Sequence, residues 1–176
     1  MGEVSVVPLP PGSLAAASLS RIDYADAYLA RLPAGHRYTL DEAVALVFAT
    51  APGWVKGLLQ LRNALVRPFG LKVDPPGPAA DKSAPLLPGA RLGLFRVFAR
   101  RPDELLLGED DRHLDFRVSL LLRDEGEAQW AIVTTVVSFH NALGRAYFAV
   151  VRPFHQLIVP ALIRRALRMA VRSPDV

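Results

Sequence analysis

From residue 91 onward, apolar and polar positions follow the short rhythm of strands. The alternation is clearest at 113–122, where five apolar side chains point one way and four polar ones the other: Leu114, Phe116, Val118, Leu120 and Leu122 against His113, Asp115, Arg117 and Ser119. A period of two is that of a strand with one face on a core. Apolar segments at 91–99 and 104–108 and a β-branched segment at 129–139 predict further strands.

The segments between these strands are short and rich in turn residues. They lie at 101–103, 109–112 and 124–127, and the last contains Gly126. Because short turns join consecutive antiparallel strands, the pattern predicts an antiparallel meander.

Helical patterns lie on either side of the meander. Thr39 and Glu42 form a capping box at the start of a first helix. A stripe of Trp54, Leu58, Leu61 and Leu65 predicts a second. The segment 143–171 predicts a long C-terminal helix, capped by Asn141 and kinked or split by Pro153 and Pro160.

We therefore expect an α+β fold in one domain, residues 1–176. Residues 1–13 form an extended lead-in, and 20–32 are a first strand or a short helix, with two short helices inserted before the meander. Residues 72–90, with five prolines, are a surface loop or a lid. The curved sheet would grip the C-terminal helix, as in START-like helix-grip proteins, with a hydrophobic cavity or a filled core between them.

Composition narrows the possible chemistry. The chain has no cysteine, which excludes disulfides, thiolate nucleophiles and Cys-based zinc or iron–sulfur sites. Its charge is +4 with 21 basic residues, which are scattered rather than clustered, so no nucleic-acid interface is expected. No signal peptide or transmembrane segment is evident, and we expect a cytoplasmic protein.

The polar side of the 113–122 strand is the first candidate site. His113, Asp115 and Arg117 lie about 7 Å apart along one face. Asp115 would orient and charge His113, while Arg117 would hold an anionic group of a ligand. The alternative is a solvated ladder of ion pairs with little energetic weight.

Other candidates lie near the start of the last helix and in the aromatic core. His140 and His155 would reach the same end of a cavity, and Tyr147, Trp54, Phe95 and Phe98 would line it. Neither HxH nor HxxxH spacing occurs, so no metal or other cofactor is expected. Arg164, Arg165, Arg168 and Arg172 form a basic helix end that lies on an anionic membrane or complements the helix dipole.

Three stretches resemble one protein family: 107–117 (LGEDDRHLDFR), 139–147 (FHNALGRAY) and 151–155 (VRPFH), with 23–26 (DYAD) fitting the same pattern. They are similar to the DUF2867 family of uncharacterised bacterial domains over roughly residues 15–170. The resemblance implies a START-like fold and no agreed activity. Family members also occur fused to short-chain-dehydrogenase-like domains, whose Gly-rich nucleotide fingerprint is missing here.

Three functions remain open at this point. The first is binding of a small hydrophobic or amphipathic molecule between sheet and helix. The second is a cyclase-, dehydratase- or isomerase-like enzyme that uses His113 with Asp115, or Tyr147 with His140, as acid–base groups. The third is a partner of a separate short-chain-dehydrogenase-like protein.

Overall fold

In the part of the chain that the structure describes, seven antiparallel strands form one curved open sheet, in the order β1-β2-β7-β6-β5-β4-β3. The computed structural model describes residues 4–48, 86–92 and 95–172. The strands are β1 (Val4–Val6), β2 (Tyr24–Arg31), β3 (Arg91–Leu92), β4 (Phe95–Arg100), β5 (Glu104–Asp110), β6 (Leu114–Glu125) and β7 (Ala128–Phe139). Three helices are described: α1 (Leu14–Ala17), α2 (Leu40–Phe48) and α3 (Ala142–Arg172). This confirms the predicted α+β fold, with a long C-terminal helix and short helices after the first strand.

The predicted meander forms, with several changes of boundary. β6 runs to Glu125, three residues beyond its predicted end, so the turn expected at 124–127 is reduced to Gly126 and Glu127. β5 runs to Asp110, so the turn expected at 109–112 begins two residues later. The single strand expected at 91–99 is two strands, since Leu92 of β3 pairs with Phe95 of β4. The helix predicted on the Trp54 stripe, and most of the 72–90 loop, lie outside the described residues.

Both faces of the sheet are covered, which the alternation of β6 did not predict. The α3 side holds the main core, where Leu107, Leu120 and Val133 meet Ile163 and Leu167 of the helix. The other side is covered by residues 7–22, which include α1. A strand buried on both faces loses its alternation, and β7 accordingly contains nine buried residues among its twelve.

A buried glutamate attaches α1 to the sheet. Ser13 caps α1 by accepting the amide of Ala16, at 3.2 Å. The carboxylate of Glu104, 1% exposed, accepts the amide of Leu14 at 2.7 Å. Two of the amides that helix geometry leaves unpaired are thereby satisfied, and Glu104 ties the N-terminal segment to β5.

The predicted capping box starts α2. The amide of Thr39 donates to Glu42 at 2.7 Å, and the amide of Glu42 donates to the Thr39 hydroxyl at 3.3 Å. Arg100 of β4 holds Asp41 through two bonds of 2.7 and 2.8 Å. The helix thus has a defined start and a charged anchor to the sheet.

The C-terminal helix is one element of 31 residues and is not split at Pro153 or Pro160. Asn141 caps it as predicted, accepting the amide of Gly144 at 3.0 Å. Its length and composition would allow it to cross a membrane, with mean hydropathy 1.4 and 17% of residues buried in the most apolar window. A single helix that meets a criterion of length and composition is weak evidence and assigns no membrane span.

Candidate functional site

His113 does not pair with Asp115. Its ring is 2% exposed and packs edge-on against Tyr147 of α3, with 5.1 Å between ring centroids. Its acidic neighbour is Asp111, whose Oδ2 lies 3.3 Å from Nδ1. The expected orientation of His113 by Asp115 is therefore wrong, because His113 lies just before β6 and is turned toward the helix.

Asp115 is instead paired across the strand end with His140. Their Oδ2 and Nε2 atoms are 2.9 Å apart, and the side chains are 24% and 39% exposed. The register explains the contact, since Asp115 pairs with Ser138 and the chain leaves β7 two residues later. Such a half-exposed pair joins two strand ends and contributes little to stability.

Arg117 is a buried structural residue, not an exposed ligand holder. Its side chain crosses Gly108 and lies over the Phe98 ring, with Cζ 3.6 Å from the centroid. Its Nη2 meets Asp110 at 2.7 Å and its Nη1 donates to the Phe116 carbonyl at 2.9 Å. Because Arg117 is only 6% exposed, the polar face of β6 is not the solvated ladder of ion pairs that was the alternative prediction.

The aromatic candidates are divided between the two faces of the sheet. Phe98 packs on the α1 side, whereas Phe95 lies on the α3 side against Phe48 and Phe116. Trp54 lies outside the described residues. The aromatic candidates that the structure describes therefore do not line a shared cavity.

His155 joins a polar network between α3 and β2. Its Nε2 lies 3.1 Å from Oδ2 of Asp26, and the two side chains are 16% and 9% exposed. Tyr24 donates to the same carboxylate at 2.6 Å, and Gln156 donates to the Tyr24 hydroxyl at 3.3 Å. Tyr28 contributes a longer bond of 3.4 Å. The network links two segments 129 residues apart in the chain.

The electrostatics of this network fix the protonation states of its carboxyl group and its two phenols. Burial alone would raise the pKa of Asp26, but the hydrogen bonds and charge of His155, with the bonds from Tyr24 and Tyr28, outweigh it and hold that pKa below its ordinary value. Burial, then the bond to Asp26 and its charge, raises the pKa of Tyr24 far above its ordinary range. Burial and the same charge raise the pKa of Tyr28 to about 12. Asp26 is thus a carboxylate and both phenols are neutral at physiological pH.

A cleft of about 510 Å³ opens beside this network, between the β1–β2 edge of the sheet and α3. One wall is apolar and comes from β1 and the residues after it: Val4, Val6, Val7, Pro8 and Leu9. The floor includes Tyr24, Ala25, Asp26 and Tyr28 of β2. The cleft exists because β1 pairs only with the second half of β2, leaving the first half uncovered on that edge.

The third wall is a single ridge of α3. Arg152, Gln156, Pro160 and Arg164 follow one another at four-residue spacing, which places them along one side of a helix. The guanidinium of Arg152 lies 5.4 Å from the centroid of the Tyr24 ring. Neither Arg152 nor Arg164 forms an ion pair with another residue of the described chain.

The cleft is not where the sequence placed a cavity. Directly beneath α3 the described side chains pack together in two clusters, one around Ile163 and Leu167 and one around Phe148. Of the eight predicted site residues that the structure describes, His155 is the one with a contact to the network, and it lies behind Asp26. The four-residue stretch 23–26, which fits the family pattern, is the sequence signal that could have indicated this edge, but it was not used to predict a site.

Metal binding finds no support among residues 4–48, 86–92 and 95–172. No group of three or more His, Asp and Glu side chains there is arranged to hold an ion. The acids near the histidines come singly, as in the pairs Asp26–His155 and Asp115–His140.

Comparison with known proteins gives a family and no activity. No curated protein matches the chain. Residues 18–162 match the profile of a protein family of unknown function, a range that includes Tyr24, Asp26, His155 and Gln156 but not β1 or Arg164. The match covers most of the chain, and the protein therefore belongs to the DUF2867 family.

Proposed function

We propose that the protein binds a small amphipathic molecule with an anionic group in the cleft between the β1–β2 edge and α3. The observation that carries the proposal is the division of the cleft into an apolar wall and a polar wall around one space of about 510 Å³. This volume lies in the range of small-molecule sites.

The apolar wall provides the hydrophobic contribution. Val6 is 75% exposed although it belongs to a strand, and Val4, Val7 and Leu9 are only partly buried. Covering a large aliphatic side chain is worth roughly 1.5–3 kcal/mol. A hydrocarbon or ring lying along β1 would therefore gain affinity from surface that is now in water.

The polar wall favours an anion at one end of the ligand. Among the described residues that line the cleft, Asp26 is the one acid, and its charge is shared with His155, Tyr24 and Tyr28. Arg152 and Arg164 have no acidic partner in the described chain. A carboxylate, sulfate or phosphate group would supply the partner that the Arg152 guanidinium lacks. Arg164 lies about 18 Å further along α3 and would meet a different part of the ligand.

Binding is better supported than acid–base catalysis. A general base works best when its pKa lies near the operating pH, whereas the pKa of Asp26 is lowered and those of the two tyrosines are raised. The network is also internally hydrogen-bonded, so a substrate would have to compete with it. The shifted pKa values and the internal hydrogen bonds of the network favour a rigid binding surface over an acid–base catalyst.

Two related fluorescent probes test the proposal. Anilinonaphthalene sulfonate is an anionic amphiphile, and phenylnaphthylamine is its neutral counterpart. We expect the full-length protein to bind both, and Arg152→Gln to weaken the anionic probe about tenfold while changing the neutral one little. Val6→Trp, which places a large side chain in the cleft beside its cross-strand neighbour Tyr28, should strongly weaken both signals.

The matched control is Ala17→Trp, which adds the same side chain at an exposed position of α1. Circular dichroism verifies that each variant folds. Native mass spectrometry of gently purified protein then shows whether a small molecule is retained. Equal loss of probe binding in both tryptophan variants, or undiminished binding by a folded Val6→Trp protein, would overturn the proposal.

A further inference from the structure

The outward side of α3 carries apolar side chains where a soluble helix normally carries polar ones. Val150, Phe154 and Leu157 are 53%, 42% and 72% exposed. Their spacing of four and three residues places them on one side of the helix, opposite Phe148 and Ile163, which face the sheet. Single exposed apolar residues are ordinary, but three adjoining ones over two turns form a patch.

The same side becomes basic toward the end of the helix. Arg165 and Arg168 continue the line of Val150, Phe154 and Leu157 at helical spacing, and Arg164 flanks it; all three are exposed. We call these six residues the outer face of α3. The apolar turns and the basic turns therefore share one exposed surface.

The charge of α3 is extreme compared with the rest of the chain. The helix contains six arginines and no acidic residue. The other 145 residues contain 15 basic and 17 acidic residues. The net positive charge of the protein is thus concentrated on the helix that also exposes the apolar patch.

We propose that the outer face of α3 binds an anionic lipid surface, with the helix lying parallel to it. The apolar side chains would enter the boundary between headgroups and acyl chains, and the arginines would reach the lipid phosphates with their apolar stems along the interface. Charge decides between occupants, because a second copy would bring its own arginines to the contact, whereas an anionic bilayer is complementary. Arg164 also lines the cleft, but the other five residues of the outer face do not, so the inference stands without a ligand in the cleft.

Sedimentation of the full-length protein with vesicles tests the inference. We expect binding to phosphatidylcholine vesicles that contain phosphatidylglycerol, little binding to phosphatidylcholine alone, and release by high salt. The double variant Arg165→Gln with Arg168→Gln leaves the cleft unchanged and should bind about tenfold or more weakly. Leu157→Gln should also weaken binding, by removing an inserted side chain.

Matched controls separate this surface from general charge and hydrophobicity. Arg112→Gln with Arg123→Gln removes the same charge from exposed positions around β6, and Leu87→Gln changes a leucine that is 57% exposed. Both should bind like the wild type. Circular dichroism establishes that all variants fold.

Several results would overturn the inference. These are equal binding to neutral and anionic vesicles, no binding to either, or an equal loss in the control double variant. Bound protein that resists salt and alkaline extraction would indicate a spanning helix instead. A wild-type dimer that Leu157→Gln converts to a monomer, without vesicle binding, would assign the outer face to a second copy.

Discussion

Asp26 on β2 and His155 on α3 meet across the edge of the sheet, with Oδ2 and Nε2 3.1 Å apart. The contact fixes the position of the middle of α3 relative to β2. It also forms the back of the cleft, since Asp26 faces both His155 and the open space. The pair therefore has a structural role that can be measured separately from any ligand.

A double-mutant cycle should detect this coupling. We expect the interaction energy between Asp26→Asn and His155→Gln, from denaturant unfolding at neutral pH, to be about 0.5–3 kcal/mol. The exposed pair Arg37–Asp124, with 54% and 61% exposed side chains, is the control and should give about 0.5 kcal/mol or less. Additive effects at Asp26 and His155 would show that the contact contributes nothing.

The contribution of Asp26 should disappear in acid. Its folded-state pKa lies below the ordinary 3.8, so its stabilisation is present above the unfolded pKa and is lost as the pH falls through the folded pKa. The difference in unfolding free energy between wild type and Asp26→Asn should be largest near neutrality and shrink below about pH 4. A difference that stays constant down to strong acid would contradict the assigned shift.

The contribution of Tyr28 to stability should disappear in alkali. The pKa of Tyr28 is about 12 in the folded state, against an ordinary 10.0. Its contribution to stability is therefore complete below the pKa of the unfolded state and is lost as the pH rises through the pKa of the folded state. Ultraviolet titration should show delayed tyrosinate formation in the folded wild type. Tyr28→Phe should remove one late-titrating group; an unchanged late phase would mean that Tyr28 titrates normally.

Gly144→Ala should destabilise the protein, although alanine usually stabilises a helix relative to glycine. Replacing glycine by alanine in a helix generally gains up to about 1 kcal/mol. Here a Cβ would overlap the carbonyl of His113, which already accepts the amide of His140 at 3.0 Å. We therefore expect Gly144→Ala to lower the unfolding free energy by about 1–3 kcal/mol. A stabilised variant would show that the helix start can move away from β6.

Arg117 should behave as a packing residue that lysine cannot replace. Its planar guanidinium lies over Phe98 and also reaches Asp110 and two backbone carbonyls. Arg117→Lys is expected to cost about 1–3 kcal/mol of stability without changing probe affinity in the cleft. The exposed Arg37→Lys is the control and should be nearly neutral. Loss of probe binding by a stably folded Arg117→Lys protein would reinstate Arg117 as a ligand residue.

The sequence predicted the elements far better than the site. Local chemistry was sufficient for the Thr39–Glu42 capping box, the Asn141 cap and the alternation of β6, because each depends on residues a few positions apart. It was also sufficient for the family resemblance. The predicted pairing of His113 with Asp115 is wrong because β6 begins at Leu114. His113 precedes the strand and does not share the face of Asp115.

The covering of the sheet is the clearest case of information missing from local pattern. Nothing in the spacing of residues 7–22 indicates that they pack on β5–β7 against Leu106, Leu121 and Val136. The capping of α1 by Glu104 joins residues 90 positions apart. Such contacts arise from packing between distant segments, which periodicity does not encode.

By itself, the sequence determined an antiparallel sheet followed by a long, acid-free helix, since strand period, turn residues and helix caps act over a few residues. Only the tertiary structure decided that Asp26 and His155 meet, that β1 leaves half of β2 open, and that one ridge of α3 closes the resulting cleft. Those features depend on register and on which side of a helix faces a sheet, and both are set by the summed packing of the whole chain.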